Sequence, residues 1–198
     1  MKTNSKIVTA LLVVCFIALI GLMGAVTNSA NSFGAAASVT EYSKLRGQVT
    51  DATQYAEIRK QFGDGLFVRH FPPVIPPDAT QINFYFVPKF LQGGTSLQLR
   101  LKLPADKIGD LYTQFNQLAV HRYIGGDSNI HANSSDGVPT TFFRTSDNHV
   151  STFPITYEIL VLGAEPYKDS GFKWNHGTSY GVAIDKSASE IVYWLEDW

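Results

Sequence analysis

Five histidines, one cysteine and a scatter of serines and carboxylates are the side chains here that could do chemistry. The histidines are His70, His121, His131, His149 and His176, and none of them form the close pair by which a single element offers two zinc ligands. A site would have to be assembled across a long loop, from His121, His131 and Asp127. Nucleophilic catalysis needs a serine or thiol held by a base. Cys15 lies inside an apolar run, and no serine occupies a G-x-S-x-G elbow. Gly125-Gly126-Asp127 and Gly163–Glu165 lack the phosphate-loop pattern. Asp127 and Glu158 could act as paired carboxylates in glycoside hydrolysis if the fold set them at a suitable separation. No cofactor and no metal are expected, and the balance falls against an enzyme.

Aromatic side chains are the richer resource. Tyr157, Trp174, Tyr180, Tyr193, Trp194 and Trp198 could build a sugar-stacking platform or an adhesive surface, although core packing is the ordinary use of such rings. Trp174 and Trp198 are flanked by polar residues, so these two are expected at the surface. With His176 they form the candidate binding surface.

The strongest signal concerns location. Ile7–Val26 holds twelve Leu, Ile, Val and Phe residues and no charge, and Lys2 and Lys6 precede it. As a helix it would reach roughly 30 Å, the thickness of a bilayer's hydrocarbon core. The expected span includes Ile7, Leu11, Phe16, Ile20 and Val26. Residues 1–6 are then expected in the cytoplasm, because the nearby positive charges lie before the segment. Cleavage as a secretory signal is the alternative. The run is longer than the usual signal core, and the A-x-A site at Ala35-Ala36-Ala37 lies far beyond Val26. A lipoprotein acylated at Cys15 would want a small residue where Val14 stands. All three readings export the remainder of the chain.

That remainder contains no cysteine, so packing rather than disulfides must stabilise it, which points mildly to a bacterial cell envelope. All 17 acidic residues and 14 of the 16 basic ones follow residue 37, a net charge of −3. The charges are scattered singly, which excludes the basic stripe a nucleic-acid partner needs. The expected partners are the membrane and a protein or cell-envelope component.

The elements that must position these residues follow from period and punctuation. Residues 27–40 are small, polar and uncharged, and read as a flexible spacer before a domain at 41–198. Glu41–Phe62 has helical spacing, as one bent helix or two short ones, with Thr50 or Asp51 as a cap and Gly63-Asp64-Gly65 as a stop. Phe71–Pro77 places four prolines within six residues and reads as a stiff connector or sheet edge. Ile82–Leu91 and Ser96–Leu103 are expected strands. In the second, Leu97, Leu99, Leu101 and Leu103 face a core while Gln98, Arg100 and Lys102 face water. Pro104–Leu118 is a helix whose apolar stripe should lie on those leucines. Ile124–Thr140 is a long loop, Thr141–Arg144 a short strand, and Thr152–Leu162 a strong one. Ser179–Ile184 and Glu190–Leu195 complete the set, the last apolar on both faces and so covered on both sides. The expected architecture is an α+β domain, with an antiparallel sheet of about five or six strands and two helices on one face. The favoured function is a membrane-anchored, non-enzymatic binding module. The rival is an exported hydrolase of envelope polymers, with a site near the 124–136 loop and His176.

Overall fold

The computed structural model describes residues 47–89, 93–126, 131–167 and 171–198. The expected membrane span and spacer lie outside the described residues. Among the described residues no helix is long and apolar enough to cross a membrane.

A helical turn at Ala52–Gln54 leads into helix α1, Tyr55–Gln61, and helix α2 spans Ala105–Leu118. Six strands follow the chain as β1 (Thr80–Val87), β2 (Ser96–Lys102), β3 (His121–Ile124), β4 (Glu158–Pro166), β5 (Gly177–Asp185) and β6 (Glu190–Asp197). They form one antiparallel sheet in the order β1-β2-β6-β5-β4-β3. The α+β architecture and the strand number agree with the sequence reading.

The first helix is shorter than its spacing suggested. Asp51 caps the turn that leads into it, accepting from the Thr53 amide at 2.9 Å, and Gly63 follows its end with φ at +59°. Val49, expected in helix, instead bridges to Phe86 on the outer edge of β1. Tyr42 and Leu45 lie outside the described residues.

Both helices pack on one face of the sheet. Tyr55 and Ile58 of α1 and Ile108 and Phe115 of α2 meet Leu97, Leu99 and Leu101 of β2, Ile191 and Tyr193 of β6, and Val182 of β5. Each such leucine, fully buried, contributes about 1.5–3 kcal/mol.

The opposite face corrects the sequence reading. Gln98 and Arg100 do not face water: both are buried. The irregular segment from Val138 to Tyr157 covers them, setting Val138, Phe143, Phe153 and Tyr157 on Ile159, Val161, Ala183, Val192 and Trp194. Polar partners come with the cover. Gln98 accepts from the Thr145 amide at 2.9 Å and donates to the Phe142 carbonyl at 2.9 Å. Arg100 donates to both carboxylate oxygens of Glu190, at 3.0 and 3.1 Å, and pairs with Asp147 at 2.7 Å. Asp147 is held below the usual carboxylate range by that guanidinium. Thr141 and Ser96 donate to Glu196, whose carboxyl burial pushes up.

Two further corrections have local causes. Thr141–Arg144 forms no strand and runs within the covering segment. The strand expected from Thr152 starts only at Glu158, because Pro154 supplies no donor and its carbonyl accepts from Tyr157 in a turn. Strand β3 was not anticipated. Its four residues follow α2 closely, too few to display a period.

Candidate functional site

Among the described residues, no group of three His, Cys, Asp or Glu side chains is placed to hold a metal ion. His121 and His131 flank Tyr123, whose ring stacks on His131 with centroids 3.8 Å apart. His176 lies elsewhere. Tyr123 is opposite Ile159 on β4, whereas Gly177, next to His176, is opposite Pro166 seven positions further along. At ~3.3 Å per residue that separation is roughly 20 Å. Glu158 is engaged by Lys186 at 3.3 Å and by the Tyr112 hydroxyl at 2.8 Å. Its suggested partner Asp127 lies outside the described residues.

A cleft opens on the helix face, between α2 and the proline-rich connector, with a volume of about 400 Å³. Lys107, Asp110, Leu111 and Gln114 recur at three and four residues, so one side of α2 forms a wall. Pro72 and Pro76 form the other wall, and their fixed φ angles keep it rigid. Lys107 pairs with Asp78 at 2.6 Å and ties the helix to the connector at the rim. The floor is His70, Leu103, Phe115 and Tyr193.

His70 is the residue that sequence reasoning passed over. Its ring lies over the sheet among Phe71, Tyr180 and Tyr193, with centroids 4.6, 5.6 and 6.4 Å away. Nε2 lies 3.2 Å from the Trp194 carbonyl, an acceptor only, which assigns the ring proton to Nε2. Nδ1 is buried and has no hydrogen-bond partner among the described residues. Burial carries the pKa down to about 3, so the ring is neutral at ordinary pH. Such a histidine is part of an apolar floor rather than a proton shuttle. Burial likewise holds the Tyr193 hydroxyl above its usual range. A lone histidine between an arginine and a phenylalanine carries no mark of this in the sequence.

On the covered face a wider and shallower hollow, of about 840 Å³, runs along His149–Ile155 beside Gly126. His149 is the one ionisable side chain among its described lining residues.

The structure does bring Trp174, His176 and Trp198 together, at the corner where β5 and β6 leave the sheet. Trp198 exchanges backbone hydrogen bonds with Gly177, its amide donating at 3.0 Å and its carbonyl accepting at 3.2 Å. Its indole Nε1 donates to the Trp174 carbonyl at 3.1 Å, and the two rings stand 6.4 Å apart, tilted by 44°. His176 Nδ1 lies 3.3 Å from the Trp198 carbonyl. Both tryptophans are half-buried, with Trp174 packed against the covered-face core. The more exposed rings of this corner are instead those of Phe172, at 73 %, and Tyr167, at 45 %. Lys173 places its ammonium 5.2 Å from the Trp174 centroid. The Tyr167 hydroxyl bonds to Asp197 and Thr178 and fixes the corner to β6.

Together these features form a rigid apolar cleft on the helix face and an aromatic corner at one end of the sheet. Comparison with protein-family models, curated proteins and solved structures returned no match.

Proposed function

We propose that this chain is a membrane-tethered domain displayed outside the cytoplasm, which binds a small apolar ligand or an apolar side chain of a partner. The cleft between α2 and the proline connector carries the proposal. Its volume of about 400 Å³ falls in the range of ligand sites, and such sites are usually apolar with a few polar groups. Here Asp110, Lys107 and Gln114 stand above Leu103, Leu111, Phe115 and Tyr193. The tether is supported by the charge-free run Ile7–Val26, and the orientation by Lys2 and Lys6 before it.

Two measurements test the proposal. Protease shaving of intact cells should digest the domain from outside while the N-terminal segment fractionates with membranes. An intact chain in the cytosol would sink the tether. Fragment screening by NMR on the purified full-length protein should give hits that perturb α2 and are abolished by Leu111→Trp, which fills the cleft. Hits that persist in a folded Leu111→Trp protein would remove the cleft from the proposal.

A further inference from the structure

Topology places the start of the domain and the aromatic corner at the same end of the sheet. Gly47, the first described residue, sits against Pro88: a Cβ there would lie 3.6 Å from the proline ring. Two residues on, Val49 pairs with Phe86 near the end of β1. The register then runs across that end, from Val87 to Ser96 and from Ser96 to Glu196. Lys89 reaches Asp197 at 3.8 Å, beside Trp198. The corner of Tyr167, Phe172, Trp174 and Trp198 is thus at the same end of the sheet as Gly47.

Twenty residues separate Val26 from Gly47. Even fully extended, twenty residues reach at most roughly 70 Å. A bilayer holding the N-terminal segment is therefore tied, within that length, to the end of the sheet at which Gly47 stands. The side chains there have the composition of a membrane–water interface. Tryptophan and tyrosine present an apolar body with a polar tip, and a lysine stem can lie along the rings with its charge in water. We propose that the corner formed by Phe172, Trp174, Trp198 and Tyr167 rests in the headgroup layer of the membrane that anchors the chain, leaving the cleft on the helix face free. This rests on the tethered-domain reading. The surface recognised is a lipid interface rather than an anionic lipid, because among the described residues Lys173 lies over Trp174 and Lys89 is paired with Asp197.

The chain's three tryptophans make the test direct, since Trp194 is fully buried and the other two are in the corner. The full-length protein is reconstituted into phosphatidylcholine vesicles, with or without bromine near the headgroup end of the acyl chains. Bromine should quench most of the corner emission, and raising salt should leave the quenching unchanged. A Trp174→Phe/Trp198→Phe double variant should lose the quenching and keep the emission of a buried Trp194, which also reports that it is folded. Carbonate extraction of the same vesicles reads the tether separately. Carbonate-resistant protein with bromine-insensitive emission would overturn the corner's role and leave the tether standing. Extractable protein that is still quenched would overturn the tether and support the corner. Emission indifferent to bromine but changed by a soluble cell-wall oligosaccharide would overturn the proposal in favour of sugar stacking.

Discussion

The two faces of the sheet are closed by different physical means. On the helix face, α1 and α2 lay apolar stripes on Leu97, Leu99, Leu101, Ile191 and Tyr193, so the contact depends on area and shape. On the other face an irregular segment does the same job, and its position depends on named polar pairs: Gln98 with Thr145, Arg100 with Glu190 and Asp147, Glu196 with Thr141. A helix satisfies its own backbone and can slide a little on a greasy surface. A stretch whose own backbone hydrogen bonds are few and local, such as Phe143 to Ser151 and Tyr157 to Pro154, needs side-chain partners to fix it. The first kind of contact tolerates volume-conserving swaps. The second fails when one partner is removed.

The largest expected break in that comparison is Arg100→Leu. It removes a buried guanidinium and leaves Glu190 desolvated and unpaired, which should destabilise the domain by about 3–5 kcal/mol. Leu99→Met on the opposite side of the same strand should cost less than ~1.5 kcal/mol, because volume is kept. Chemical denaturation of both variants checks the contrast, and equal losses would contradict it.

Gly181→Ala sharpens the comparison by forcing the covered face alone. A Cβ there would lie 2.2 Å from the Leu160 carbonyl oxygen and 3.0 Å from the Trp194 ring, so main chain or a buried indole must shift. The expected loss is about 1–3 kcal/mol, with Trp194 emission changed.

A further effect belongs to the helix face and depends on pH. His70 titrates near 6.5 when unfolded and is held at about 3 when folded. Between those values the unfolded chain binds the extra proton, so stability must rise with pH through that window and fall as the solution is acidified. At ~1.4 kcal/mol per unit the loss between about pH 7 and pH 5 is up to about 2 kcal/mol, and His70→Phe should abolish it. The buried Glu196, raised rather than lowered, acts in the opposite direction at lower pH, so the difference between wild type and variant is the quantity to read.

These contrasts also explain what the sequence made legible. The alternation from Leu97 to Leu103 revealed a strand and its core side, because a period of two depends only on the strand itself. It could not reveal that Gln98 and Arg100 were also covered. Their cover comes from residues 138–157, which have no period and which bond to Gln98, Arg100 and Glu196 across 43 to 55 positions of the chain. The double-sided apolar character of β6 was legible, and it lies between β2 and β5 as such a strand should. At the candidate sites, Trp174 and Trp198 were singled out by their polar flanking residues, a local cue, yet both are half-buried. The cleft was not singled out, since its lining comes from a connector, a helix and the last strand, and no single window of sequence contains it.

The strand order also sets a schedule for assembly. β6 is made after the other five, yet among the described strands it alone pairs with both the β1–β2 hairpin and the β3–β4–β5 group. Until residues 190–197 emerge from the ribosome, the sheet exists as two separate halves with exposed edges. Long-range pairings of this kind close slowly. Closure of the sheet therefore waits on the last of its described strands.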